Sequence, residues 1–205
     1  MDLPATLMEV MFLFSGALLY PTIVLLVVLV VWVLVVLGQM ISEYSGRVRD
    51  IAGLRKAGRE AGGHLKEGDF LAAQQALKSV KANEEVKQFV RDLSEFFGDP
   101  RFSLESEKLL QDYELSIGKK LERLKILTRI APMLGLMGTL IPLGPALMGL
   151  SSGNIQALAA NLVIAFSTTV LGLLVGGMAY AVLVVKRRWY YQDFSDMEYI
   201  TGVLE

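Results

Sequence analysis

Apolar and polar positions fall along this chain in long blocks rather than in short alternations. Arg129 and Lys186 bracket 56 residues, Ile130 to Val185, with no Asp, Glu, Lys, Arg or His. One bilayer crossing takes roughly 20 apolar residues, so this block predicts two. A turn at Ser151-Ser152-Gly153-Asn154 joins them into a hairpin. A second uncharged block, Val10 to Ser42, predicts a third crossing. The expected fold class is an all-α integral membrane protein with three transmembrane helices and a helical cytoplasmic domain between the first and second.

Local signals divide the chain further. An extracytoplasmic interfacial helix is expected over 1–20, broken at Tyr20-Pro21 because proline donates no backbone hydrogen bond and restrains the residue before it. The first transmembrane helix then covers 21–42. Its uniform Val and Leu suit lipid better than a close helix contact, which in membranes favours small residues. In the cytoplasmic domain, 43–129, Gly58, Gly62 and Gly63 weaken a first helix. Asp69 caps a second through about Val80, and Asn83 caps a third that closes at Gly98 and Pro100. From Ser103 no proline intervenes before Arg129, so a long helix should continue into the second span, 130–150. The turn occupies 151–156, the third span 157–185 and a cytoplasmic tail 186–205.

Charge supplies an orientation. All twenty Lys and Arg lie from Arg47 onward; seventeen fall between Arg47 and Arg129, and the rest are Lys186, Arg187 and Arg188. The bias of basic residues toward the cytoplasm predicts N-terminus out, charged domain in, hairpin turn out and C-terminus in. At 53% hydrophobic the chain is too apolar for an ordinary soluble domain. With no cysteine, disulfides, thiolate catalysis and sulfur-ligated metals drop out. No cofactor or metal site and no nucleic-acid module is indicated. The lone His64 reads as a solvated side chain, and nothing converges as acid, base and nucleophile.

The two later spans differ in character from the first. Gly135, Gly138, Gly144 and Gly149 accompany Pro132, Pro142 and Pro145, while Ala165, Thr169, Gly172, Gly176 and Ala179 recur every three or four residues. Such stripes let backbones approach closely. Thr139, Thr168 and Thr169 lie near the middle of their spans, where unpaired polar groups are most costly. A membrane threonine commonly returns its hydroxyl to a carbonyl of the preceding turn, and Ser167 is expected to do so. The matched depth of the threonines gives a shared role equal standing. Asn161 either lines a water-filled vestibule or bonds across helices, with the second favoured. Pro142 and Pro145 free carbonyls that line a pore or merely accompany a kink. No carboxylate lies within the spans, so if the chain conducts ions, another chain must supply one.

Ala131-Pro-Met-Leu-Gly135-Leu-Met-Gly138-Thr139 is similar to the Ala-Pro-x-x-Gly-Leu-x-Gly-Thr signature of ExbB and TolQ. Thr169-Val-Leu-Gly172-Leu173 is similar to their third-helix Thr-x-x-Gly-Leu signature. The chain thus resembles the MotA/TolQ/ExbB proton channel family. The resemblance implies a pentameric ring around the single transmembrane helices of two ExbD-, TolR- or MotB-like partners. It also implies a partner Asp past which ions move, so that the ring turns and does work. It makes Thr139 and Thr169 pore-lining, with Thr168 adjacent, and Gly135, Gly138, Gly172, Gly176 and Pro132 the packing around the pore. Where ExbB carries an acid before its third-helix threonine, this chain has none near Ile164. The implied place is the inner membrane of a prokaryote, in contact with lipid. A non-conducting scaffold and, more remotely, a solute transporter are the competing readings.

Overall fold

The computed structural model describes residues 3–205, with side chains from residue 6 onward. Seven helices follow in order: α1 (Leu3–Ala17), α2 (Leu19–Gly46), α3 (Ile51–Lys66), α4 (Phe70–Lys78), α5 (Glu84–Ser94), α6 (Phe102–Ser151) and α7 (Ile155–Leu204). The described residues contain no strand. Among the described residues three stretches are long and apolar enough to cross a membrane: Thr6–Gly46, within which α1 meets α2, and the helices α6 and α7.

The chain divides into two compact units. The first joins Met1–Gln39 to Arg123–Leu183. In it the break between α1 and α2 falls at Leu18, ahead of the expected Tyr20-Pro21. The reason is the missing proline donor: Pro21 cannot bond the carbonyl four residues back, Ala17, and α1 ends there. Pro21 itself sits inside the first turn of α2, where a lost N–H costs least. Along α2, Leu26, Leu29, Val33 and Val36 recur at helical spacing and are buried. Leu29 and Val33 join Leu127 and Ala131 of α6 and Val175 and Ala179 of α7 in one core. The first span therefore does not face lipid on every side; one stripe packs on protein. Val24, Val27, Val28, Val31 and Val35 stay exposed on the single chain.

The second unit comprises Met40–Glu122 and Val184–Glu205. Its core gathers Leu54, Ala57 and Ala61 of α3, Ala73 and Leu77 of α4, and Val86, Phe89, Val90 and Leu93 of α5. Phe89 meets the Tyr113 ring of α6 edge-on at 5.3 Å. The glycines of α3 do not weaken it: the helix runs unbroken through Gly58, Gly62 and Gly63. At Gly62 an added Cβ would lie 3.1 Å from the Val203 carbonyl, so glycine there permits contact with α7. Asp69 caps α4 as expected, its carboxylate accepting from Ala72 N at 3.0 Å. Asn83 stands at the N-cap of α5 but makes no capping bond. Its side chain is used elsewhere, as described below.

The tail is where the structure adds most. Residues 186–205 continue α7 without interruption almost to the end, and Met197, Ile200 and Leu204 are buried in the second core. Tyr190, Asp193, Met197, Ile200 and Leu204 repeat at intervals of three and four, a helical stripe that the flanking charges obscured.

Candidate functional site

In the first unit α6 and α7 run past one another so closely that their small residues are compulsory. A Cβ on Gly172 would lie 2.7 Å from the Ala131 carbonyl oxygen and 2.8 Å from Gly135 Cα. On Gly135 it would meet the Thr168 carbonyl at 3.1 Å, and on Gly176 the ring of Pro132 at 2.6 Å. On Gly138 it would collide with the Thr168 side chain at 2.5 Å. Successive contacts pair lower numbers of α6 with higher numbers of α7, so the two are antiparallel here. The turn between them needs Gly153, at φ 73°, and Asn154, whose Oδ1 accepts from Ala157 N at 3.0 Å.

This close approach brings two hydroxyls together across the helices. Thr169 Oγ1 lies 3.4 Å from Thr139 Oγ1, 3.4 Å from the Gly135 carbonyl and 3.3 Å from Ala165 O of its own helix. Thr139 donates its own proton to Leu136 O at 2.7 Å, which leaves its lone pairs to accept from Thr169. Both are half-buried. Their neighbours bond within α7 alone. Thr168 is buried against Gly138 and returns its hydroxyl to Ala165 O at 2.9 Å. Ser167 bonds Val163 O at 2.7 Å, as expected of it. Asn161 donates to Ala157 O of its own helix at 2.9 Å rather than across helices, contrary to the favoured expectation.

Chemically the pair offers hydroxyls and carbonyls only. It can orient water or solvate a cation, and it contains no group that changes charge near neutral pH. Among the described residues no His, Cys, Asp or Glu cluster is arranged to hold a metal.

The second unit carries a polar network that sequence reasoning missed. Asp193 is fully buried, and one of its oxygens, Oδ1, accepts from Arg47 Nη2 at 2.7 Å and from Asn83 Nδ2 at 2.6 Å. Asn83 Oδ1 in turn accepts from Val48 N at 3.1 Å. Arg49 grips Asp196 through two bonds of 2.8 Å, Glu43 accepts from Lys186 at 2.8 Å, and Arg47 lies 4.9 Å from the centre of the Trp189 ring. Burial pushes the Asp193 carboxyl above the usual range, while the Asn83 and Arg47 donors pull it back. The hydrogen bond to Asp196 raises Arg49 further. Burial likewise pushes Tyr190 up to about 12.

A family profile, the MotA/TolQ/ExbB proton channel family, matches residues 76–198. The chain belongs to this family. No curated protein and no solved structure matches it. The matched region contains both threonine-bearing helix segments, the whole of α5 and, of the polar network, Asn83, Lys186, Asp193 and Asp196. Membership and three apolar helices make this a membrane protein of a channel family, and that family is not one of enzymes.

Proposed function

We propose that this chain is a subunit of an ion-driven, proton-coupled motor in which the transmembrane gradient does mechanical work through a single-span partner. The observation that carries the reading is the Thr139–Thr169 pair, 3.4 Å apart within two spans that hold no Asp, Glu, Lys, Arg or His. A carboxylate at the bilayer centre costs roughly 2.5 to 3.5 kcal/mol or more, and a charge falling through 100 mV releases about 2.3 kcal/mol. Two hydroxyls with water offset part of that cost. They let a partner's Asp, arriving on its own helix, alternate between charged and neutral forms.

On this reading five copies surround two ExbD-, TolR- or MotB-like helices in a prokaryotic inner membrane, with the N-terminus and the α6–α7 turn outside and the second unit in the cytoplasm. Thr139 and Thr169 line the ion path. Thr168 belongs with Gly135, Gly138, Gly172, Gly176 and Pro132, which hold α6 and α7 together. The test is native mass spectrometry of the complex expressed with its neighbouring genes, followed by proton and sodium flux. Five copies with two single-span partners, and loss of flux in an assembled Thr169→Val ring, support the motor. A lone oligomer, or full flux in that variant, overturns it.

A further inference from the structure

Helix packing does not account for a cavity of about 210 Å³ in the first unit. Its lining includes Phe12 and Ser15 of α1, Ile141, Pro142 and Pro145 of α6, and Asn161 of α7. A wholly apolar hollow at this level would take up hydrocarbon. This one has polar residues of two helices in its lining, Ser15 of α1 and Asn161 of α7, beside the backbone of Ile141 in α6. Pro145 has no N–H, so the Ile141 carbonyl lacks its usual helical donor; Pro142 deprives the Gly138 carbonyl in the same way. Within a bilayer such carbonyls are tolerated where they are buried in protein or line water. A site is hydrated when it is roomy and offers two to four polar partners, and this cavity meets both conditions.

Its position gives it a purpose. Leu140 and Ile141, both in the lining, directly follow Thr139, and Asn161 lies between the Asn154 turn and Thr168. The cavity thus stands between the threonine pair and the turn. Phe12 closes against α6 at Gly144, where an added Cβ would lie 3.3 Å from its ring.

We propose that this cavity is a hydrated vestibule, walled by α1, that admits water and the ion from the turn side of the membrane. Its purpose rests on the ion-path reading of Thr139 and Thr169; its hydration does not. Because the chain has no cysteine, single thiols report on it directly. The full chain with its partner is placed in lipid vesicles, and methanethiosulfonate ethylsulfonate, which is charged and impermeant, is added on the turn side. Thiols react as thiolates, which need water, so Ser15→Cys and Asn161→Cys should label within about tenfold of Ser152→Cys in the turn. Val28→Cys, on the exposed face of α2, should label about a hundredfold more slowly. Gly16 lines the cavity and meets nothing within 4 Å, so Gly16→Trp can fill it; labelling of Asn161→Cys should then fall about tenfold. If Ser15→Cys or Asn161→Cys is as slow as Val28→Cys, lipid or protein fills the cavity and the proposal is overturned. Fast labelling beside undiminished flux in Thr139→Val and Thr169→Val supports the vestibule and removes only the threonine path.

Discussion

Arg47 and Asp193, 146 positions apart, meet through a 2.7 Å hydrogen bond at which the arginine side chain is 13% exposed and the carboxylate not at all. The bond ties the chain just after α2 to the continuation of α7, and Asn83 joins it from the start of α5. Removing one partner strands a buried charge, so Asp193→Ala should cost about 3–5 kcal/mol of stability. Arg47→Met combined with Asp193→Leu should recover most of that loss, since a buried pair exchanged for apolar groups is often neutral. Trp189 fluorescence during urea unfolding in nanodiscs reads both, because Arg47 lies over that ring.

The contact of α6 with α7 should fail in a position-specific way. Gly172→Ala drives its Cβ into the backbone of Ala131 and Gly135, which no rotamer relieves, and should prevent a stable complex. Gly138→Ala meets the side chain of Thr168 first, at 2.5 Å. Adding Thr168→Gly should therefore restore assembly to the Gly138 variant and do nothing for the Gly172 variant. Size-exclusion profiles of the purified proteins distinguish the two.

Hydroxyl chemistry and packing separate at the three threonines. Thr139→Ser keeps a donor and acceptor and should keep flux, whereas Thr139→Val should lose about tenfold or more, the rate equivalent of about 1.4 kcal/mol. Thr168→Val, which removes a hydroxyl that is buried against Gly138 and makes no bond across the helices, should conduct nearly as the native chain does. Proton flux into vesicles at matched protein density checks all three.

The C-terminal stretch should prove structural. Met197 is fully buried, so Met197→Ala should cost about 2–5 kcal/mol, and a stop codon after Arg188 should unfold the second unit by stripping Met197, Ile200 and Leu204 from its core. Limited proteolysis between α3 and α5 reports the loss.

Alkaline stability should depend on Tyr190. Burial sets its folded pKa at about 12, above an unfolded value of about 10. The stability it contributes is complete below about pH 10 and drains as pH rises through about 12. Tyr190→Phe should match the native protein at pH about 8 and exceed it at pH about 11, with unfolding midpoints as the measure. Tyr113, raised by burial and by its bond to Asp92, should leave part of the alkaline loss in place.

The sequence by itself determined the long-range order of the molecule. Charge-free blocks set where three apolar helices lie, because a charged side chain in hydrocarbon is too costly to leave unmarked. The Gly, Pro and Thr patterns around Thr139 and Thr169 marked the contact between α6 and α7, since only small residues allow backbones so near. Caps were legible as positions and not always as roles: Asp69 caps α4, but Asn83 serves Asp193 instead. Gly58 and Gly62 of α3 looked like breaks and are points of contact, because propensity is local whereas the benefit of a close approach to Val203 depends on a partner far along the chain. The tertiary structure alone decided that residues 186–205 complete a core, that Arg47 pairs with Asp193, and that α1 closes a cavity over Pro142 and Pro145. Each depends on which residues from distant segments arrive at one place. A carboxylate and an arginine carry no sign of that pairing until burial has removed the water between them.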